Sequence, residues 1–474
     1  MENNGFRTVL SRLIYLARDY AADFFKLKEQ KDLFKSKNNF IKFANQIGLD
    51  SFQKKCYEGF KLAQKDILNA ILELEQEIKS YKPIDKNDER IPRLKYQITA
   101  LKEVANVIAW TIFLNQRTHI KSFITNGMGS GFLSDRNIKS VASLAEEINK
   151  DTNKFALITD ITSCLGMGDL VIAETDKPIK IAEVKEGKVN EAISNLIDSN
   201  LKSDNDDFKK DLLDFYKQYG EKGHKQIQRK LRQNARVLGS IEYIENDEGV
   251  DPDTGKYKYA IEISKEPIII SKFLRLALDH LYKNKEPWRI IPTDCCLIGI
   301  FRRDTSNSYF TNRMDFKHMV YHELSVPLDK CGFLLGEAEF NKYFKIQIAS
   351  LRDSIYIPTH PPLYFLGLND QHLIDLVCED IDIFIHFNGD RFLEMCNERG
   401  LSARWSTDKE FRQGKSNKTI YDFGEKHLYV SKNDIKMPIL HGPIYSILYE
   451  LESGYSVIER IKESLDIMEE KSKS

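Results

Sequence analysis

Asp169, Glu183 and Lys185 have the types and spacing to do chemistry on a phosphate. Gly168-Asp169-Leu170-Val171-Ile172 and Ile179-Lys180-Ile181-Ala182-Glu183-Val184-Lys185 are two runs rich in β-branched and apolar residues. Between them Glu174-Thr175-Asp176-Lys177-Pro178 reads as a turn joining two strands. Side chains alternate along a strand, so Glu183 and Lys185 project from one face, and a hairpin brings Asp169 beside Glu183. Two carboxylates about 4 Å apart repel by roughly 4 kcal/mol at an effective dielectric of 20. Such a pair wants a proton or a cation between its members. With a lysine two residues on, the arrangement suits a hard divalent ion and a water beside a phosphate.

Those strands need neighbours. Residues 138–149 form an amphipathic pattern bearing Glu146 and Glu147, 155–160 reads as a strand, and 163–168 as a turn into the Asp169 strand. Downstream, 189–219 is charged and helical in pattern. From Lys222 to Arg236 every charged side chain is basic. Lys225, Arg229, Arg232 and Arg236 fall three and four apart, so on a helix they share a face suited to a phosphate backbone. Gln226 and Lys230 are placed to point toward the cleft, and Gln228 adds hydrogen-bond capacity.

Helix, strand, strand opening on Asp and strand ending in Glu-x-Lys, in that order, resembles the PD-(D/E)XK nuclease superfamily, the restriction-endonuclease-like fold, over about 138–240. The resemblance implies an αβββαβ core, with Asp169, Glu183 and Lys185 on the family's motif positions and Gly168 where the family has proline. The family often places a glutamate on the first helix. Glu146 is the favoured match and Glu147 the alternative. The family's helix after the third strand, which bears glutamine or basic residues, matches 225–232, with 189–220 as an insertion. Asp169 and Glu183, with the carbonyl near Val184 and Glu146 through a water, are thereby expected to hold Mg²⁺ or Mn²⁺. Lys185 is expected to orient the attacking water and offset charge on the phosphorane. The implied activity is that of a metal-dependent phosphodiesterase, endonuclease favoured, cutting DNA in preference to RNA as a restriction or phage-defence effector. The alternative is a catalytically silent nuclease-like module that grips nucleic acid or binds a protein.

Length and composition set the frame. At 474 residues the chain is long enough for several domains. A net charge of −1 means that a nucleic-acid partner is met by a local basic patch rather than by an overall field. The seven cysteines (Cys56, Cys164, Cys295, Cys296, Cys331, Cys378, Cys396) contain no Cys-x-x-Cys pair and read as reduced thiols. The opening residues are polar, and the most apolar helical stretch, 104–114, is too short for a bilayer. The chain is therefore expected to be cytoplasmic, with no membrane partner.

The expected class is a multi-domain α+β protein in three regions. The first, 1–130, is helical. Stripes over 8–25, 61–81 and 94–123 predict helices, the last two an antiparallel hairpin broken by Pro83 and Pro92. Its long apolar face is a core face or an arm for a second copy or a partner protein. Residues 126–132, rich in glycine, read as a linker rather than a phosphate loop, since no Gly-Lys-Ser/Thr completes them. The second region, 131–265, holds the nuclease-like core. Strands expected at 241–244 and 256–264 supply the last strand of its sheet. The third, 266–474, reads as mixed α/β, with a helix at 272–283, strand-like runs at 288–302 and 381–387, and a helix over 446–470. There, His318 and His322 have zinc-compatible spacing without the glutamate order of a zincin. Residues 405–421 interleave basic and aromatic side chains.

Overall fold

The structure is a computed structural model describing residues 3–25, 48–82, 87–124, 132–133, 137–184, 193, 205–246, 248–250, 257–259, 267–303, 346–417, 419–433 and 435–473. It is a mixed α+β chain with several small antiparallel sheets. Contacts divide it into two compact units, residues 12–260 and residues 2–11 with 261–474. The helical region expected over 1–130 thus falls, from Arg12 onward, in the same unit as the sheet that follows it. No described helix is long and apolar enough to cross a membrane.

After α1 (Asn3–Ile14) and the short α2 (Tyr20–Phe24), the first unit is built on α3 (Leu49–Tyr81) and α4 (Arg90–Ile112). Phe60, Ala63, Ile67, Ile71, Leu74 and Ile78 recur at helical spacing on α3, and all are buried. On α4 the residues from Val104 to Trp110 are buried all round, as in a helix enclosed on every side. The single helix expected over 94–123 is broken. Leu114 and Asn115 adopt positive φ (52° and 59°), and α5 (Arg117–Phe123) starts afresh beyond them. No glycine or proline marks that break, which is why periodicity ran straight through it.

α6 (Ile138–Ile148) buries Ile138, Val141 and Ala145. β1 (Lys154–Ile158), β2 (Leu170–Glu174) and β3 (Lys177–Ala182) follow as an antiparallel meander in the order β1-β2-β3. Phe155 and Leu157 of β1 face Ala173 and Val171 of β2, and β2 turns into β3 through Thr175 and Asp176, the latter at φ 58°. The outer edge of β1 is occupied by side chains. Gln64 of α3 donates Nε2–H to the Ala156 carbonyl (2.9 Å) and accepts the Ile158 N–H (2.8 Å), and Asn149 accepts the Ala156 N–H (2.8 Å). A side-chain amide here does what a neighbouring strand's backbone would do.

That capping corrects the expected fourth strand. Residues 241–244 are helical, the end of α7 (Asn205–Asn246), a helix interrupted at Gly220 (φ 63°, ψ −162°). β4 (Glu248–Val250) and β5 (Tyr257–Tyr259) pair with each other in a separate two-stranded sheet. Among the described residues this sheet therefore has three strands. The β1 hydrogen-bonding groups that another strand would use are already satisfied by Gln64 and Asn149.

The second unit carries α8 (Ser271–Asn284) and a four-stranded antiparallel sheet of β6 (Trp288–Pro292), β7 (Cys296–Arg302), β8 (Ile346–Ser350) and β9 (Ile381–Asn388), ordered β6-β7-β9-β8. The apolar run 288–302 is thus a hairpin, not one strand. Every residue from Ile381 to Phe387 is buried, as a central strand requires. Asp382, wholly buried, is held by Arg303 Nε and Nη2 at 3.0 and 2.9 Å. Three strands, β10 (Ser402–Trp405), β11 (Leu428–Lys432) and β12 (Ile435–Pro438), form a second sheet. The helix expected over 446–470 is two, α9 (His441–Tyr449) and α10 (Gly454–Lys473), parted by Leu451 at φ 56°. The six described cysteines are free thiols. Cys331, His318, His322 and the glycine-rich 126–131 lie outside the described residues.

Candidate functional site

β2 and β3 assemble the two carboxylates. Their ladder ends at the Leu170–Ala182 pair, and Asp169 and Glu183 each stand one residue beyond it. The Asp169 backbone is fixed on both sides: its N–H donates to the Ala182 carbonyl (2.9 Å), and its carbonyl accepts from the Thr159 N–H (3.1 Å). Its side chain accepts the Val184 N–H at 2.7 Å.

Gly168 makes this approach sterically feasible. Its φ is 72°, and a Cβ there would stand 2.4 Å from Ile181 Cγ2. Proline is locked near φ −65° and does not fit this backbone. The turn before it is tied to the helical layer. Buried Asn106 accepts the Ser163 N–H (2.9 Å) and donates to Ser163 Oγ (2.7 Å), and the Gly166 N–H reaches the Phe123 carbonyl (2.9 Å).

The third group at the site is Lys230, from the arm of α7 beyond the Gly220 break. Its ammonium is ion-paired with Glu183 Oε2, and the two side chains are only 13% and 18% exposed. Burial draws the Lys230 pKa below the ordinary lysine value, while the nearby Asp169 charge pulls it up. The other Glu183 oxygen, Oε1, is buried with no hydrogen-bond partner. Lys230 faces inward because Gly223, Ile227 and Lys230 lie four and three apart on the buried side of the helix. Ile227 packs in a cluster with Phe215, Ile193, Leu212 and Tyr219 across the Gly220 break.

The remaining residues expected at the site distribute as follows. Lys225, Gln226, Arg229 and Arg232 are exposed, and Arg236 is half-buried. Lys225 pairs with Glu221 (2.7 Å), and Arg232 Nε reaches the Gln228 carbonyl (3.4 Å). Of the two residues expected to point toward the cleft, Lys230 is bound to a carboxylate, and Gln226 is exposed and does not share its inward position. Glu146 is exposed, and Glu147 pairs with Lys150 on the surface. The described residues hold no cluster of three or more His, Cys, Asp or Glu fit for a metal. Lys185 lies outside the described residues. In the second unit the basic–aromatic stretch 405–421 is engaged in local structure: Arg404 and Lys436 bind Glu410, which closes a capping box with Thr407, and Trp405 Nε1 donates to Asp390.

Asp169 and Glu183 still fit a hard divalent ion. Mg²⁺ is commonly held by one or two carboxylates, with waters and substrate phosphate completing its shell. A buried carboxylate oxygen without a donor is the kind of group that such an ion satisfies.

No family model, no curated protein and no solved structure matches this chain.

Proposed function

We propose that this chain is a divalent-metal-dependent nuclease acting on nucleic acid, DNA in preference to RNA, with its site at the Asp169–Glu183 end of the β2–β3 hairpin. The observation that supports it best is their meeting at Lys230. Asp169 and Glu183 each stand one residue past the end of the β2–β3 ladder, Lys230 is paired with Glu183 and feels the charge of Asp169, and one buried Glu183 oxygen is left without a donor. When bound, Mg²⁺ or Mn²⁺ supplies a Lewis acid for the scissile phosphate and a water of lowered pKa. Asp169 and Glu183 would hold it, and the Val184 N–H sets the orientation of the Asp169 carboxylate. Lys185 would orient the water and offset charge as it develops on the phosphate. Exposed Lys225, Arg229 and Arg232 offer cations to the backbone of the substrate.

The Lys230–Glu183 pair favours a second reading, a module that holds nucleic acid without cutting it, because one carboxylate is already neutralised by the chain's own lysine.

One experiment separates the two. Purified protein and Glu183→Ala are incubated with supercoiled plasmid, linear duplex, single-stranded DNA and RNA, each with Mg²⁺, Mn²⁺ or EDTA. Cutting that needs metal and is lost in the variant supports the nuclease. Binding with a steep salt dependence but no cutting under any condition rejects it in favour of the module.

A further inference from the structure

We propose that Lys230 is a built-in counter-cation for the Asp169–Glu183 pair, which a divalent ion must displace, so that metal binding is coupled to the seating of the second arm of α7. The inference rests on the metal-site reading above and assigns a regulator to that site. Three observations carry it.

First, the ammonium sits on Glu183 Oε2, an oxygen that the ion would need, and a cation there repels a second cation beside it. Second, the pair is largely withdrawn from water, so the lysine is not a surface charge that swings aside at no cost. Third, three basic side chains near it differ in kind: Lys225 pairs with its own helix neighbour Glu221, and Arg229 and Arg232 are exposed. Lys230 alone of these four is turned toward the carboxylates, on the face that carries buried Gly223 and Ile227. Displacing it unseats a position one turn from the Phe215–Ile227 cluster, which ties the occupancy of the site to the helix that bears the outward cations.

The test is Mn²⁺ binding to the full chain, followed by calorimetry and by the spin signal of free Mn²⁺. Lys230→Met is expected to bind Mn²⁺ about tenfold more tightly than wild type, within the range of ordinary coupling between sites. Lys230→Arg keeps the charge and should stay close to wild type. Lys225→Met removes the same charge from an exposed position and should also change little. If Lys230→Met does not fold, Lys230→Gln carries the same expectation. A second readout needs no activity: in EDTA the neutral variant should melt below wild type, because Glu183 is left unpaired, and Mn²⁺ should raise its Tm by more than it raises that of wild type. Unchanged or weaker Mn²⁺ binding in Lys230→Met, with wild type binding and Glu183→Ala not, overturns the inference and leaves the metal site standing. Equal Mn²⁺ behaviour of wild type and Glu183→Ala overturns the metal site and the inference with it.

Discussion

Val184 donates its backbone N–H to the Asp169 carboxylate at 2.7 Å, so the residue following one candidate ligand orients the other. The two acidic positions are thereby linked through one backbone N–H just past the end of the β2–β3 ladder.

Asp169→Ala should reduce metal-dependent cleavage by about 100-fold or more, the size of effect seen when a preorganised polar group is removed from a reacting centre. Loss of the hydrogen bond from Val184 costs about 1 kcal/mol, and circular dichroism should show the fold retained. Plasmid nicking measured beside the melt checks both, and full activity in a folded variant would falsify the assignment.

Gly168 is expected to resist substitution by proline as well as by alanine. Alanine needs a positive φ and meets Ile181, and proline cannot take φ 72° at all. Gly168→Ala should cost about 2 kcal/mol or more, read from denaturant midpoints. A neutral Gly168→Pro would show that the backbone described here is not the one that matters.

Gln64→Leu should destabilise the first unit by about 2–4 kcal/mol, because a buried carbonyl and a buried N–H of β1 lose their partners at once. Gln64→Glu keeps the size and one acceptor but turns an oxygen toward the Ala156 carbonyl, so it too should be destabilising. Protection of the β1 amides against hydrogen exchange should fall in both variants, and Ile158 is the amide to watch.

His372 gives the second unit a pH dependence of defined sign. Burial pushes its pKa below the ordinary histidine value, and its Nδ1 is buried without a partner. A histidine held neutral in the fold takes up its proton more readily when unfolded, so its contribution to stability is complete above about pH 6.5. That contribution is lost as pH falls from there through the lowered folded value. Tm should fall between pH 7 and pH 5, and His372→Phe, which keeps the ring beside Tyr282 (5.0 Å), should flatten the fall. An identical slope in the variant would assign the acid sensitivity elsewhere.

Much of the first unit is legible in the sequence because its signals are local. The alternation that marks β2 and β3, and the turn residues between them, lead directly to the hairpin that ends at Leu170 and Ala182. The stripe from Phe60 to Ile78 is equally plain. Where the reading failed, tertiary contacts outweighed local preference. Ile241-Glu242-Tyr243-Ile244 has strand composition, yet it continues a long helix that is held to α5 through Ser240 Oγ and the Ser122 carbonyl (2.9 Å). Helix breaks at Leu114 and Leu451 use left-handed backbone on residues that rarely adopt it, so no composition signal precedes them.

Gln64 was missed, although a trace was there: a polar residue lodged in an apolar stripe, between Phe60 and Ile67. The inward placement of Lys230 is an expectation of the sequence, but its partner Glu183 is not, because the two are 47 residues apart and meet only through the fold.

The edges of the small sheet bear on how this protein behaves at high concentration. One edge is plugged by the amides of Gln64 and Asn149. The other strand, β3, carries Pro178, which has no N–H to offer, between exposed Lys177 and Lys180. Neither edge is an inviting template for a strand from another molecule. A nascent or stressed chain that has formed this meander and seated α3 is thereby guarded against edge-to-edge polymerisation before its site is complete. Gln64→Leu would remove that guard along with the stability, and Lys177 and Lys180 are the positions where neutral β-branched substitutions should first make the protein prone to aggregate.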